Sequence, residues 1–367
     1  MAAVPESLAA TPNVSPVEER YPVEFSGAAG EYFRIWIVNL ALTIVSLGIY
    51  SAWAKVRRKR YFYANTLIGG EGFEYRGNPV AILRGRVLAV ALLAIYGAAG
   101  QVSDILQLIL GLAFAIAFPW LLVRSLAFNA HNSAYRNIRF HFGGTYLGAL
   151  KLFALSAALV LFTLGIAYPY ARARLAKFSA DHHSYGTAQF ALPSLTRMFY
   201  RIYVRLIGLT LLVVLAILLI LLLASFAARF SDAIAAMLMV ARVTIVVPLG
   251  FAALYLLWFS YPRARIGNVI WNHLAVGRST AGSPQVRFDS RLRARDLAGL
   301  YFVNILAIVF TLGLATAWAV IRTMRYRAQK TTLFVVGGLD QFVAAQAADV
   351  GASGEEVGEM FGLDFSF

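Results

Sequence analysis

Residues 46–53 of the chain read SLGIYSAW, and two later stretches repeat this text: residues 163–170 read TLGIAYPY and residues 311–318 read TLGLATAW. In each stretch an aromatic residue follows the glycine by five positions, and an arginine follows it by nine. The glycines are Gly48, Gly165 and Gly313, the aromatic residues are Trp53, Tyr170 and Trp318, and the arginines are Arg57, Arg174 and Arg322. A match in register across three apolar segments is hard to obtain by chance, so the sequence predicts three internal repeats.

The composition is typical of a membrane protein. The chain is 60% apolar and 14% charged, whereas a soluble domain is about 45–50% apolar and about 25% charged. Residues 206–228 carry no charge and are long enough to cross about 30 Å of hydrocarbon as a helix. Because lipid tolerates no unpaired backbone groups, we expect helices wherever the chain crosses the bilayer.

The apolar segments place two helix pairs between the three repeats. The predicted organisation is a flexible tail at 1–20, repeat 1 at 21–80, a transmembrane hairpin at 81–137, repeat 2 at 138–192, a second transmembrane hairpin at 193–280, repeat 3 at 281–342 and an acidic tail at 343–367. Alternating aromatic residues bounded by glycines predict short strands at the membrane surface near residues 73–77, 138–144 and 286–288. The predicted fold class is therefore an all-α polytopic membrane protein, in which these strands are minor surface elements.

The spacing of an aromatic residue and an arginine four positions later also closes both hairpins, at Trp120–Arg124 and Tyr261–Arg265. Positions four apart lie on one helical face, so the ring can lie at the headgroup level while the guanidinium reaches outward. The spacing predicts five interface anchors and five lipid or anion contacts. The anchors are Trp53, Trp120, Tyr170, Tyr261 and Trp318, and the contacts are Arg57, Arg124, Arg174, Arg265 and Arg322. A generic interfacial anchor and a set of bidentate lipid-phosphate clamps are both compatible with this pattern.

Two topologies are open for the apolar segments. If all seven cross, long basic loops fall on the far side, against the positive-inside rule. If only the two helix pairs cross and the repeats are re-entrant or lie in the membrane plane, Arg229 is the only flanking basic residue on the far side. Against this, residues 32–54 would form a helix of roughly 34 Å, long enough to cross. The charges favour the second topology, with each repeat broken at its Ser/Thr-Leu-Gly step because glycine loosens a helix and a hydroxyl can cap exposed backbone.

Basic residues dominate the body of the chain. Seven of the 18 acidic residues, but 32 of the 33 basic ones, lie between residues 32 and 338. Nucleic acid is one partner for such an excess, but these arginines flank apolar helices. The pattern therefore favours anionic phospholipid as a partner and argues against nucleic acid.

No arrangement of residues in the sequence indicates catalysis or a cofactor. The chain has no cysteine, and its five histidines lack metal-ligand spacing. Phosphate-binding loops and nucleophile elbows are absent from the sequence, so we expect a protein that is not an enzyme. His182 and His273 fall eight residues after a motif arginine, where Asn65 and Asn132 also fall. This position predicts a polar helix end rather than a metal ligand.

Polar residues inside apolar segments are candidates for a solute pathway. Arg242 lies within 233–260, and an ionisable group at membrane depth is by default a functional candidate. Asn39 and Asn304 occupy equivalent positions in repeats 1 and 3, where a buried amide usually bridges helices. A pathway would pass near these residues and the three repeat glycines.

The first repeat carries a recognisable signature. The run EYF at 31–33, then Asn39, SLGIY at 46–50, Trp53 and ANT at 64–66 resembles the YjgN-type family of bacterial inner-membrane proteins. The resemblance is strong over residues 21–80 and weaker to about residue 342, and repeat 2 departs from it at Ser156. It implies an inner-membrane location, a function that is not known, and a membrane zinc peptidase as a candidate partner.

Two functions are carried forward from the sequence. The first is a non-enzymatic membrane module that contacts anionic lipid or a partner protein through a basic cytoplasmic face. The alternative is a transporter or channel for a small solute, with a path near the repeat glycines and Arg242.

Overall fold

In a computed structural model, which describes residues 18–278 and 284–352, the strands form one closed antiparallel barrel. Each strand pairs with its neighbours in chain order, and the last strand pairs with the first. The ten strands of the described chain are β1 (Glu18–Phe25), β2 (Thr66–Ile68), β3 (Glu71–Tyr75), β4 (Ser133–Tyr135), β5 (Ile138–Phe142), β6 (His183–Tyr185), β7 (Ala188–Ala191), β8 (Ala275–Arg278), β9 (Pro284–Ser290) and β10 (Thr331–Val336).

The closed barrel shows that the all-α fold class is wrong. The predicted strand segments correspond to β3, β5 and β9, but they belong to a barrel rather than forming minor surface elements. Several strands have only three residues, and strands joined through helices are far apart in sequence. A local pattern cannot show that such pieces pair, although closure leaves no unpaired edge and so stabilises strands that would be marginal alone.

Five helical units project from the barrel between successive strand pairs. Three units are short: unit 1 joins β1 to β2 through α1 (Ala29–Val45) and α2 (Ser51–Ala64), unit 3 joins β5 to β6 through α5 (Tyr146–Phe162) and α6 (Tyr168–Asp181), and unit 5 joins β9 to β10 through α10 (Ala294–Phe310) and α11 (Thr316–Gln329). Two units are long. Unit 2 joins β3 to β4 through α3 (Pro79–Val102) and α4 (Asp104–His131), and unit 4 joins β7 to β8 through α7 (Thr196–Ala227), α8 (Asp232–Ala241), a π-helical turn (Arg242–Val246) and α9 (Val247–His273). Because the strands alternate in direction, all five units leave the same end of the barrel.

The helices of the five units form a closed ring. Each packs against the helix before and after it, and α11 of unit 5 packs against α1 of unit 1. Around the ring each long unit, 2 or 4, lies between two short units, and short units 5 and 1 are neighbours. The barrel at the base fixes this order.

Each short unit breaks at the predicted Ser/Thr-Leu-Gly step. The leucine and the glycine both have positive φ, +50° and +92° at Leu47 and Gly48, and the glycine N–H donates to the carbonyl of Thr43 at 2.7 Å. The Ser46 hydroxyl accepts from the Tyr50 N–H at 2.9 Å, which caps the second helix. Units 3 and 5 repeat both bonds, with Thr163 and Thr311 as the caps. The backbone of the turn is thus largely paired without help from water, as lipid requires.

The tips of the short units are apolar and exposed. The side chains of Leu47, Leu164 and Leu312 are 95%, 93% and 95% exposed. The first helix of each short unit has 17 residues and rises about 25 Å. This is less than the roughly 30 Å of a hydrocarbon core, and part of that helix lies at the barrel.

The long units contain the helices that can span a bilayer. Within the described residues four helices are long and apolar enough: Pro79–Val102, Asp104–His131, Thr196–Ala227 and the continuous helix Asp232–His273. Hardly any of their apolar surface is buried inside the protein. By length and composition, these four helices and the three shorter broken units agree with the second of the two topologies that the sequence left open.

A last helix, α12 (Leu339–Ala352), closes the barrel at the end opposite the units. Leu339, Phe342 and Val343 pack into the barrel core, and the buried Gln346 side chain accepts from the backbone N–H groups of Thr187 and Ala188 at 2.9 and 2.8 Å. The predicted acidic tail therefore begins inside this helix. Residues 1–17 and 353–367, which hold the rest of both predicted tails, lie outside the described residues.

Replacing Gly165 by Ala should lower the free energy of unfolding by about 1–2 kcal/mol, because a Cβ disfavours the left-handed conformation. No atom lies within 4 Å of the added Cβ, so the effect comes from the backbone alone. Unfolding of the purified protein in mixed micelles by SDS titration measures it.

Gly208→Ala is the matched control, since Gly208 lies inside α7 with equally open space and no positive φ. There alanine should stabilise the helix by about 0.5–1 kcal/mol. Equal effects of the two substitutions would contradict the proposed role of the turn.

Candidate functional site

The second helices of all five units share one feature next to their motif aromatic residue. In each, the residue immediately before the aromatic one is small or proline and is buried. These residues are Ala52, Pro119, Pro169, Ser260 and Ala317. A small buried residue lets neighbouring helices approach closely, and it sets the rotation of the helix.

Four of the five motif arginines lie over the ring of their own motif. The distance from the guanidinium carbon to the ring centroid is 5.1 to 5.9 Å for Arg124, Arg174, Arg265 and Arg322. Arg57, Arg124, Arg174 and Arg265 are exposed. No ion pair within the described ranges involves any of these five arginines. Four of them are therefore free to contact an external anion.

Two predicted positions differ from this arrangement. Tyr261 is only 8% exposed and packs against Ile202 and Leu206 of α7, so it does not lie at an interface with lipid. Trp120 and Trp318, in contrast, are 45% and 40% exposed. Arg322 is partly buried, and its Nη1 has no hydrogen-bond partner.

The polar residue eight positions after the arginine ends the helix in four units. Asn65, Asn132, His182 and His273 each bond, through Nδ2 or Nδ1, to the carbonyl four residues earlier at 2.8 Å. This confirms the predicted helix-end role. The four side chains satisfy orphan carbonyls at the junction between each unit and the barrel.

A cluster of basic side chains lies between units 1 and 2, and the sequence analysis did not predict it. The cation cluster comprises Lys55, Arg58 and Lys59 of α2 and Arg86 of α3. Arg86 donates to the Ser51 hydroxyl, which holds α3 against the start of α2. Arg86 is distant in sequence from the other three residues, and only the packing of α2 on α3 brings it to the lysines.

Within residues 18–278 and 284–352, no acidic side chain forms an ion pair with the cation cluster. Lys59 donates to the Asn129 side chain and lies 4.5 Å from the Tyr75 ring centroid, and both partners are neutral. None of the ion pairs in the described part of the chain involves a member of the cluster. Burial, and then the charges of Arg86 and Arg58, hold the pKa of Lys55 below its usual range. Burial, followed by the charges of Lys55 and Arg58, also lowers the pKa of Lys59.

The polar residues proposed for a pathway are not gathered into one channel. Arg242 begins the π-helical turn and donates to the Ser225 hydroxyl at 2.7 Å, joining α8 to α7 near the tip of unit 4. Asn304 donates to the carbonyl of Ala319 at 3.2 Å and so joins α10 to α11. Asn39 is buried in unit 1 with an unpaired Oδ1. The repeat glycines lie at the tips of three separate units.

Comparison with known protein families finds a match over most of the chain. The family model described as "Bacterial protein of unknown function (DUF898)" matches residues 20–360. "Inner membrane protein YjgN" of Escherichia coli O157:H7 is 30% identical over 130 residues, which cover 34% of this chain and 31% of that protein.

"Inner membrane protein YjgN" of Salmonella typhimurium (strain LT2) is 30% identical over 124 residues, 32% of this chain and 30% of that protein. The protein of the same name from Escherichia coli (strain K12) is 49% identical over 51 residues, 14% of this chain and 13% of that protein. The matched regions thus span a third or less of these curated relatives. No solved structure matches the chain.

The cation cluster predicts that the free energy of unfolding changes with pH in the alkaline range. The folded-state pKa values of Lys55 and Lys59 lie below the unfolded values, so the unfolded state binds more protons in the window between them. The free energy of unfolding should therefore rise with pH through that window.

Unfolding in neutral-lipid nanodiscs from about pH 7 to about pH 10.4, the ordinary lysine pKa, measures this slope. The double variant Lys55→Met, Lys59→Met should flatten it. An unchanged slope in the double variant would show that the cluster does not cause the pH dependence.

Proposed function

The chain belongs to the bacterial DUF898 family and is a multi-pass inner-membrane protein, and we propose that it is a non-enzymatic module that binds anionic phospholipid through the basic side chains of its helical ring. The observation that supports this most strongly is the cation cluster. Its four cations lie close enough to influence one another's charge, and none of the ion pairs in the described residues neutralises them.

The depth of the arginines supports a phospholipid headgroup as that anion. Each short unit begins its second helix at an apolar tip, and the motif arginine follows the tip glycine by nine residues. Nine residues of helix rise about 13 Å, close to the thickness of one leaflet, about 15 Å as half of a core of about 30 Å. With its tip at the bilayer centre, a short unit would hold Arg57, Arg174 or Arg322 at the headgroups.

The chemistry of the ring suits phosphate. Guanidinium groups bind phosphate oxygens through two parallel bonds, and lysines add point charges. Exposed aromatic rings beside the arginines lie well at the headgroup level. By the positive-inside rule we expect this face and the barrel to lie in the cytoplasm, where anionic lipids attract each nearby basic residue by about 1 kcal/mol.

A solute pathway has less support. The repeat glycines lie at exposed tips with no atom within 4 Å of a built Cβ, so they do not line an interior space. Arg242 has hydrogen-bond partners on α7 that explain its position as a structural one.

The double variant Lys55→Gln, Lys59→Gln should lower the enrichment of phosphatidylglycerol over phosphatidylcholine around the protein by roughly tenfold or more, because two contributions of about 1 kcal/mol are lost. Native mass spectrometry of protein released from mixed nanodiscs measures the bound lipids. The triple variant Arg57→Gln, Arg174→Gln, Arg322→Gln should act in the same direction.

The control variant Arg20→Gln, Arg291→Gln removes the same charge as the lysine pair from exposed positions in β1 and just after β9. It should leave the enrichment unchanged. If the control lowers enrichment as much as the lysine pair, net charge rather than a site attracts the lipid, and the proposal is wrong.

A further inference from the structure

The barrel is not filled by its own side chains. It contains a partly open cavity of about 460 Å³, with aromatic residues from four successive odd-numbered strands around it. These residues are Phe73, Phe140, Phe190 and Phe288. Protein interiors rarely contain voids much larger than a water molecule, so a space of this size at the centre of the fold requires an explanation.

Water is a poor occupant of this cavity because the hydroxyl groups of the lining residues already have hydrogen-bond partners. Tyr135 donates to the carbonyl of Ile68 at 2.7 Å, and Tyr185 donates to that of Tyr135 at 3.0 Å. Thr66 and Thr331 donate to carbonyls at the ends of α2 and α11. A buried water needs two to four polar partners, and an empty space forfeits the dispersion contacts of its walls. An apolar molecule satisfies the walls best.

The two ends of the cavity differ. At the far end, Leu339, Phe342 and Val343 of α12 close it. At the end that faces the helical ring, Met324 and Arg327 of α11 and Trp271 of α9 line it, so the cavity lies directly below the membrane-embedded part. Arg327 is the only charged residue that lines the cavity within the described chain.

Arg327 is suited to hold an acidic group at this end. Its side chain is exposed, and its Nη2 donates to the Tyr301 hydroxyl at 3.2 Å, which leaves other N–H donors available. No ion pair among the described residues includes Arg327. A guanidinium with free donors at the mouth of an apolar space is arranged to bind a carboxylate whose chain enters that space.

We propose that the barrel binds one long-chain fatty acid, with the hydrocarbon chain among the phenylalanine rings and the carboxylate at Arg327. The volume of the cavity limits how many acyl chains it can hold. A cavity of roughly 150 Å³ holds benzene with its six carbons, so 460 Å³ holds roughly 18 carbons. That is one acyl chain, whereas a phospholipid carries two. This site is separate from the cation cluster and does not depend on it.

The test uses the full-length protein in phosphatidylcholine nanodiscs and a palmitic acid analogue with a diazirine near its methyl end. After photolysis, peptide mass spectrometry should locate the label on barrel strands, with excess palmitate as competitor. A phosphatidylcholine with the same diazirine in one acyl chain should label the outer helix surfaces of units 2 and 4 but not the strands.

Two adjacent residues of β1 give a matched pair of variants. Val23 lines the cavity, whereas Glu24 is exposed. Val23→Trp should abolish labelling of the strands by the fatty acid, and Glu24→Trp should not. If Val23→Trp does not fold, Ala328→Phe fills the cavity from α11 instead.

Arg327 has its own measurement. Arg327→Gln should weaken competition by palmitate roughly tenfold, as the loss of a charged hydrogen bond implies, and should leave competition by hexadecanol unchanged. Arg20→Gln is the control for charge.

Three results would overturn the proposal: fatty-acid label confined to the membrane helices, equal strand labelling in the Val23 and Glu24 variants, or strand labelling by the phospholipid probe. None of these depends on whether the ring binds anionic lipid, so the two proposals can fail separately.

Discussion

The structure depends on the hydrogen bonds that β1 makes on both of its sides. Residues Glu18–Pro22 pair with β10, and residues Val23–Phe25 pair with β2. These two ladders join the first and last strands and close the sheet. Closure pairs strands that are too short to persist alone, and strand alternation then sends every helical unit out of one end. A chain with this constraint cannot place one unit on the opposite face.

The membrane imposes the second constraint, and the short units meet it locally. Their turns carry their own backbone hydrogen bonds and hydroxyl caps, and each presents an exposed apolar leucine. The left-handed leucine costs roughly 1–2 kcal/mol at each tip, which the bilayer offsets when it takes up the apolar side chain. The basic side chains of the ring lie between the apolar tips and the barrel, which is the depth at which our proposal places the lipid phosphates.

The helical part of this arrangement could be predicted from the sequence because it depends on residue spacings within single helices. The Ser/Thr-Leu-Gly break, the five aromatic–arginine pairs and the helix-end role of His182 and His273 all follow from spacing within one helix. The barrel could not be predicted, because β4 and β6 have three residues each and each has one partner that lies a whole helical unit away in sequence. The cation cluster and the barrel cavity were missed for the same reason, since only the fold brings Arg86 close to Lys55 and lets Arg327 and Phe73 line one cavity.

The central claim is that the barrel lies on the cytoplasmic side while the short units enter the membrane and return. The chain has no cysteine, so single cysteines can be placed at Glu71 on a barrel turn, at Leu47 on a short tip and at Ser231 on a long tip, all of them exposed. A membrane-impermeant maleimide applied to spheroplasts and to inverted vesicles should label position 71 only from the cytoplasm, position 231 only from the periplasm, and position 47 from neither side. Labelling of position 47 from the periplasm would show that the short units cross the bilayer, and would contradict the account.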